Sequence, residues 1–429
     1  MDTLTKYCVE AIARTKWDRA EIEEHQNKKL QELLEYIKHK SQWYKTYLEG
    51  VEIEKINVSN FGEVIPNMTR KKMMKNWDQI CTNNQLELRE VRELVKTESK
   101  RPRSNYTLAN GVTILSSSGS QNYPGIFAYS KEEWMQYCSQ FARSFENRKA
   151  LAYRCAHIST NSRLYARPKS SDLIKDRFSN YIDIDATKSS DEIIKCLEVF
   201  EANLIIAMPS IIGKVLKNKG ARNIKKPELL KLGSQELRPE LIKRIKEIWP
   251  STVIENAYGG SEGFGGIART EELNKFYLNE DFCIFEINGD KGLTVTNLFN
   301  KTMPIIRMKI SDQVESWGRE REVTDYRWVK IKSRKEAAEF IIDGRKLSSL
   351  RFDEVINHYS EAGEIQIEQV TDGFIIRTSN ELEMKDKNQM MTDLKSMIKQ
   401  KKVSCKFEIK TEEGVLEPSG KKKKYKPLE

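Results

Sequence analysis

Between residues 200 and 260 the chain repeats one short pattern, a brief apolar run followed by a longer amphipathic stretch. Leu204–Ala207 reads as a buried strand and Pro209–Asn218 as a helix. Leu229–Leu232 reads as a second strand and Pro239–Trp249 as a second helix, and Val253–Glu255 leads into GGSEG. Apolar runs this short, separated by helices, require a largely parallel sheet covered by helices. Successive parallel strands end at one edge, where an open sheet of this kind holds its ligand. Gly233–Glu236 and Tyr258–Glu262 both fall there. The second loop brings a ring, a hydroxyl and a carboxylate together around Gly259 and Gly260, which favour a sharp turn. Without further context, a plain surface turn explains it equally well.

The same alternation extends upstream. Leu151–Cys155 and Tyr181–Ile184 read as strands and Ser190–Glu201 as a helix. Before them, Val112–Leu115 is an apolar run followed at once by SSSGSQNYPG, residues 116–125, then by IFAYS and a helix over Lys131–Arg148. Nearer the N-terminus, Leu30, Leu33, Leu34 and Ile37 form one helical stripe. Residues 51–68 read as extended and irregular. Thr69 reads as the N-cap of a helix that begins near Arg70 and buries Met73, Met74 and Trp77. Leu86–Thr97 reads as a helix, and KRPRSN, residues 100–105, as a linker. Downstream the texture turns to strands: FCIFEI, a turn at Asn288–Asp290, LTVTNLF, and MPIIRMKISDQVE, with Asp312 after a short apolar strand. Residues 343–429 read as a small α+β domain with strands Ile365–Val370, Gly373–Arg377 and Cys405–Lys410 and helix Asn388–Lys399. The expected fold is therefore α/β. A large N-terminal domain, 1–342, has parallel-rich sheets under helices plus a β-rich segment, and a small domain follows.

Composition excludes several classes. The seven cysteines are scattered without short CxxC pairs, which argues against a disulfide framework or a zinc ribbon and for a reduced, cytoplasmic chain. Cys155 and His157 are close, but no second pair stands at metal-ligand spacing. The N-terminus has no apolar core of a secretory signal, and the strongest apolar run, Leu204–Met208, is too short for a membrane span. The net charge of +10 is spread along the chain except at Lys421–Lys424. It could attract a nucleotide or nucleic acid, yet a lysine-rich solvated surface explains it as well.

Taken in order, these segments resemble the adenylate-forming ligase superfamily, and within it the phenylacetate–CoA ligase-like branch. SSSGSQNYPG is similar to the superfamily's Ser/Thr/Gly phosphate loop, and GSQEL to the loop that brackets adenine. AYGGSEG is similar to its aromatic-Gly-x-Ser/Thr-Glu motif and TNLFNKTMPIIRMKISD to its ribose motif. DGR resembles the hinge to a mobile C-terminal domain, and EPSGK the motif with the catalytic lysine. The resemblance implies ATP-dependent conversion of a carboxylic acid to an acyl-adenylate, then displacement of AMP, usually by coenzyme A. It implies roles for particular residues. Ser117, Ser118, Gly119 and Ser120 would bind the β- and γ-phosphates. Gly233, Ser234, Gln235 and Glu236 would bracket adenine, with Tyr258 against the ring and Gly259, Gly260 and Ser261 in the same nucleotide-binding turn. Glu262 would hold Mg²⁺, Asp312 would accept bonds from the ribose hydroxyls, and Arg307 and Arg345 would belong to the nucleotide site. Lys421 would reach the oxygens near the α-phosphate. The implied partners are a small carboxylic acid, coenzyme A or another acceptor, and no specific nucleic acid; a homodimer is common in this branch.

Bland alternatives stand beside these roles. Ser118 can cap a turn, Asp312 can form one, Arg307 can be a structural ion-pair partner, and Lys421 can be one of four tail lysines. The chain also departs from the pattern. Gln121 and Asn122 replace the phosphate loop's second Thr/Ser-Gly pair. Met308 and Lys309 replace the ribose motif's Tyr-Arg, and Lys346, Leu347 and Ser348 stand where the hinge usually has an acidic pair. These changes keep open a different acceptor, or a silent relative that binds without catalysis. The acid pocket is expected from residues 151–260, with Tyr153, Phe264 and Ala207–Ser210 as its candidates.

Overall fold

The computed structural model describes residues 1–98, 111–117, 125–146, 152–159, 166–268, 271–289, 291–334, 339–342, 344–348, 352, 355–356, 359, 365–379, 381–399, 405–412 and 425–428. The chain divides into two compact units, Met1–Ser333 and Arg334–Glu429.

The first unit is built on an eleven-stranded sheet. A separate hairpin pairs β1 (Thr113–Ser116) with β2 (Ile126–Tyr129). In the large sheet, β3 (Arg154–Ser159), β4 (Asn180–Asp185), β5 (Leu204–Ala207), β6 (Leu229–Gly233) and β7 (Val253–Gly259) run parallel, in the order β4-β3-β5-β6-β7. Every residue of β5 and β6 is buried, as two-sided coverage requires. One face packs on helices Ser190–Phe200, Pro209–Lys217 and Pro239–Ile248. Ser189 and Glu192 form a capping box at the first helix, and Pro209 and Pro239 open the other two, where the missing N–H has no partner to lose. The other face carries a smaller apolar cluster of Phe145, Tyr153, Cys155, Phe178, Leu204 and Leu229.

Beyond β7 the sheet turns antiparallel. It continues through β8 (Gly265–Ala268) and β9 (Lys275–Leu278), while β10 (Cys283–Ile287), β11 (Gly292–Asn297), β12 (Met308–Glu320) and β13 (Thr324–Arg334) complete it. The N-terminal helices Thr3–Ala13 and Arg19–Lys40 are tied to this half by buried ions. Arg143 donates to the Ala11 carbonyl of the first helix at 3.2 Å, to Asp281 at 2.6 Å and to Asn279 at 2.6 Å, and Arg19 of the second helix pairs with Glu280 at 2.9 Å, as Arg327 of β13 does at 2.7 Å.

Several expected boundaries shift. Asn76 interrupts the helix after Thr69, giving Arg70–Lys75 and Trp77–Ile80, because its side chain bonds back to the Lys72 carbonyl at 2.8 Å. The helix expected over Lys131–Arg148 ends at Ser139 and continues as 3₁₀ turns over Gln140–Phe145. The 51–68 stretch includes a short helix, Phe61–Val64. The strand that Val253 begins, β7, runs on to Gly259, and Asp312 lies inside the thirteen-residue β12 rather than after a short apolar strand.

The second unit has a hairpin of β14 (Glu339–Ile342) and β15 (Arg345–Ser348). It also has a four-stranded sheet, ordered β18-β17-β16-β19, of β16 (Ile365–Val370), β17 (Gly373–Thr378), β18 (Lys406–Thr411) and β19 (Tyr425–Lys426). Helix Met384–Lys399 adds Met390 and Leu394 to a core around Phe340, Phe352 and Phe374.

Arg143 and Asp281 are both buried, and without Arg143 the Asp281 charge keeps, among the described residues, only its longer pairing with Arg14, at 3.7 Å. Arg143→Met is expected to lower stability by about 3–5 kcal/mol, read from the urea midpoint of the full chain.

Candidate active site

The parallel register carries Ala207, Gly233 and Gly259 to one edge of the sheet. There the Gln235 side-chain oxygen accepts from the Ser210 backbone N–H at 3.1 Å, which ties the loop after β6 to the helix after β5. Ser234 adopts the left-handed region, φ +69°, uncommon for a residue with a Cβ. Gly233 is the last residue of β6, and Glu236 follows in the same loop.

The AYGGSEG stretch forms a β-hairpin. Tyr258 and Gly259 belong to β7, Gly259 pairs with Gly265, and residues 260–264 make the turn. A Cβ on Gly259 would stand 2.8 Å from the Phe264 carbonyl oxygen. Gly263 has φ +93°, and a Cβ there would fall 2.1 Å from Asn297 Nδ2. Only glycine allows this turn to close against its neighbours.

Side chains from behind hold the turn in place. Tyr137 donates to the Gly260 carbonyl at 3.2 Å, Tyr129 to Ser261 at 2.6 Å, Asn297 to Glu262 at 2.9 Å, and Gln140 to Gly263 at 3.0 Å. Four consecutive carbonyls thus have partners in four separate places of the fold. Burial, reinforced by Tyr137 and Glu262, pushes the Tyr129 phenol well above its usual range, so it remains a donor.

This scaffold fixes two acidic side chains. Glu262 is 3% exposed, and its carboxylate pairs with Arg70, which begins helix Arg70–Lys75. Asp312 accepts from the Tyr258 hydroxyl at 2.8 Å, so the expected ring residue and ribose residue are joined directly. Phe264 and Phe276 flank the Tyr258 ring, each 5.3 Å between centroids.

Ser117 stands at the neck of the Ser/Gly loop. Its N–H donates to the Gly125 carbonyl at 2.8 Å, and its Oγ accepts from the Gly125 N–H at 2.7 Å. A Cβ on Gly125 would approach Arg70 Cδ to 3.2 Å. The neck, Arg70 and Glu262 therefore form one contiguous group. Ser118, Gly119, Ser120, Gln121, Asn122 and Lys421 lie outside the described residues.

Arg307 adopts the structural role open to it. It pairs with Glu286 at 2.8 Å and donates to the carbonyls of Gly62, at 2.8 Å, and Ile65, at 2.7 Å. Arg345 opens β15 in the second unit, after Gly344 at φ +71°. Among the pocket candidates, Phe264 lies at the hairpin and Met208–Ser210 at the same edge. Tyr153 instead sits just before β3, at the opposite end of that strand, packed on Phe145.

Among the described residues no group of three His, Cys, Asp or Glu could by itself hold a metal ion. Glu262 offers one hard carboxylate beside the loop neck. That suits Mg²⁺, which ordinarily takes one or two carboxylates and completes its shell with phosphate oxygens and water. No helix among the described residues is long and apolar enough to cross a membrane.

No family model and no curated protein matches the chain. Solved structures do. 2-Hydroxyisobutyryl-CoA ligase in its post-adenylation state, in complex with 2-HIB-AMP, is similar with a TM-score of 0.67 and 15% identity, over 97% of this chain and 91% of that one. The open conformation of that ligase, in complex with 2-HIB-AMP and CoA, gives 0.60 and 14% identity, over 96% of this chain and 93% of that one. The chain has the fold of the adenylate-forming ligases. On that fold, the residues sequence reasoning missed are Arg70 and the four donors behind the turn. Arg70 was visible only as the residue after a helix cap. Tyr137 and Gln140 stand three apart after a capping serine, a spacing that equally well marks an ordinary buried helix face.

Gly263→Ala is expected to displace Asn297 and lose its bond to the Glu262 carbonyl. The cost is about 2–4 kcal/mol, read as a lower urea midpoint at unchanged slope.

Proposed function

We propose that the chain is an ATP-dependent, AMP-forming ligase that activates a carboxylic acid as its acyl-adenylate and passes the acyl group to coenzyme A. The observation that carries this reading is the convergence at one sheet edge of the Tyr258–Asp312 bond and the buried Glu262 beside the neck of the Ser/Gly loop. The 2-HIB-AMP and CoA bound by the similar 2-hydroxyisobutyryl-CoA ligase support both half-reactions.

In the first step a carboxylate oxygen of the acid attacks the α-phosphorus of ATP, and pyrophosphate leaves. In the second the thiol sulfur of coenzyme A attacks the acyl carbon, its proton passes to solvent, and AMP leaves. The protein's task is alignment and charge dispersal rather than covalent chemistry. Tyr258 lies along adenine, and Asp312 receives the ribose hydroxyls. The loop from Ser117 wraps the β- and γ-phosphates. Mg²⁺, held by Glu262, would add positive charge to the polyphosphate. A domain from residue 343 onward, carrying Lys421, brings a movable cation to the α-phosphate. Seven scattered cysteines without short CxxC pairs fit a cytoplasmic enzyme.

A second reading keeps the adenylation but changes the acceptor to an amine, a hydroxyl or a carrier-protein thiol. Lys346, Leu347 and Ser348, in place of an acidic pair, favour it.

The test is a pyrophosphate-release screen over aryl and aliphatic acids, with and without coenzyme A. Acid-dependent release with thioester formation is the expected outcome. Acid-dependent exchange without thioester selects the second reading, and no exchange with any acid overturns adenylation. With a responsive acid in hand, Glu262→Gln is expected to slow exchange by about 10²–10³-fold. Asp312→Ala is expected to raise the KM for ATP about tenfold while leaving the acid's KM little changed.

A further inference from the structure

Arg70 is an unassigned residue that touches both halves of the proposed phosphate site. Its guanidinium pairs with the Glu262 carboxylate, and its stem packs against Gly125 at the loop neck. Its placement is over-determined. Met68 bridges Met308 of β12, with the Met68 N–H on the Arg307 carbonyl and the Lys309 N–H on the Met68 carbonyl, both at 2.8 Å. Thr69 then caps the helix that Arg70 opens, accepting from the Lys72 N–H at 3.2 Å. The Arg70 side chain is 12% exposed, and its Nε is buried with no hydrogen-bond partner among the described residues. A guanidinium cannot lose its charge, and a buried unused donor is costly. This one is held where it has a donor left over, beside the neck formed by Ser117 and Gly125.

We propose that Arg70 is an electrostatic latch on Glu262. This inference rests on the adenylating function proposed above. Without nucleotide, the guanidinium occupies the carboxylate and keeps a divalent cation off it. When nucleotide arrives, the triphosphate takes the guanidinium, including the unused Nε donor, and Glu262 is released to the metal that the nucleotide carries. Arg70 is thereby a positioning residue that makes metal and nucleotide arrive together. A cation and a guanidinium compete for one carboxylate, so removing Arg70 has opposite effects on the two ligands. Metal binding without nucleotide strengthens, and nucleotide binding weakens.

The test titrates Mn²⁺ into the full-length protein without nucleotide, following free Mn²⁺ by electron paramagnetic resonance, and measures exchange kinetics in parallel. Relative to the unaltered protein, Arg70→Met is expected to bind Mn²⁺ about tenfold more tightly at a site absent from Arg70→Met/Glu262→Gln. In exchange, the same variant is expected to need less Mg²⁺ for half-maximal rate while its KM for ATP rises about tenfold. A merely structural Arg70 would not move these two quantities in opposite directions. Unchanged or weaker Mn²⁺ binding by folded Arg70→Met overturns the latch. If Arg70→Met fails to fold, the latch requires that either Mn²⁺ or the second substitution Glu262→Gln restore it; failure of both overturns the latch. Loss of exchange in Glu262→Gln with unchanged Mn²⁺ binding in Arg70→Met sinks the latch alone; normal exchange in Glu262→Gln sinks the metal role of Glu262 and the latch with it, whereas no acid-dependent exchange in the unaltered protein sinks the adenylating assignment beneath both.

Discussion

A carboxylate this deeply buried requires a partner. Leaving water costs an ion several kcal/mol even after the surroundings relax. At Glu262 the partner is Arg70, and their pairing constrains much of the fold around it. Arg70 comes from the N-terminal helical region and Glu262 from the hairpin of the central sheet. The two meet only if the segment before Arg70 is held against β12. Arg307 holds it, with one hand on Glu286 and the other on the carbonyls of Gly62 and Ile65. An arginine expected from the sequence to belong to the nucleotide site thus acts at one remove, by setting where Arg70 can stand. Its own φ of +49° fits a residue whose contacts outweigh its backbone preference.

The turn itself illustrates how rigidity is obtained without bulk. Gly260 and Gly263 remove the side chains that would keep the hairpin away from its neighbours. That leaves four backbone carbonyls in need of partners, and an unpaired buried carbonyl is costly. Each acceptor has its own donor, from β2, the helix Lys131–Ser139, the turn after it, and β11. The backbone is therefore fixed relative to the sheet before any ligand binds, which is the condition for electrostatic preorganisation.

The parallel half of the sheet was legible because its physics is local. Short apolar runs and proline-led helices name strand and helix without reference to anything distant, and the edge on which Gln235 and the hairpin meet follows from strand direction alone. What stayed hidden was whatever depends on a partner far along the chain. Thr69 was readable as a cap, but nothing in residues 69–75 says that Arg70 will meet a carboxylate 192 positions later. Arg307 was equally readable as a nucleotide ligand or an ion-pair partner, because a guanidinium suits both. Asp312 looked like a residue after a strand because β12 runs on into a polar, half-exposed stretch that carries no apolar run.

The position of the site follows from one change in the sheet. Through β7 every strand is parallel to the last and must return by a helix, so each loop at the edge leads away from it. At β7 the chain reverses directly into β8, and the sheet becomes antiparallel. The hairpin tip consequently stays at the edge, flanked on one side by the loop after β6 and backed on the other by β2 and β11. A carboxylate at the tip of such a hairpin stands at the edge, while the side-chain bonds to the tip's backbone carbonyls come from β2, β11, the helix Lys131–Ser139 and the turn after it. A carboxylate placed on a helix-bound loop would lack that separation, and motion of the helix would move the carboxylate with it. The switch from parallel to antiparallel thus provides both the opening and its rigid floor, and it explains why the glycines gather at this one crossing rather than at the other strand ends.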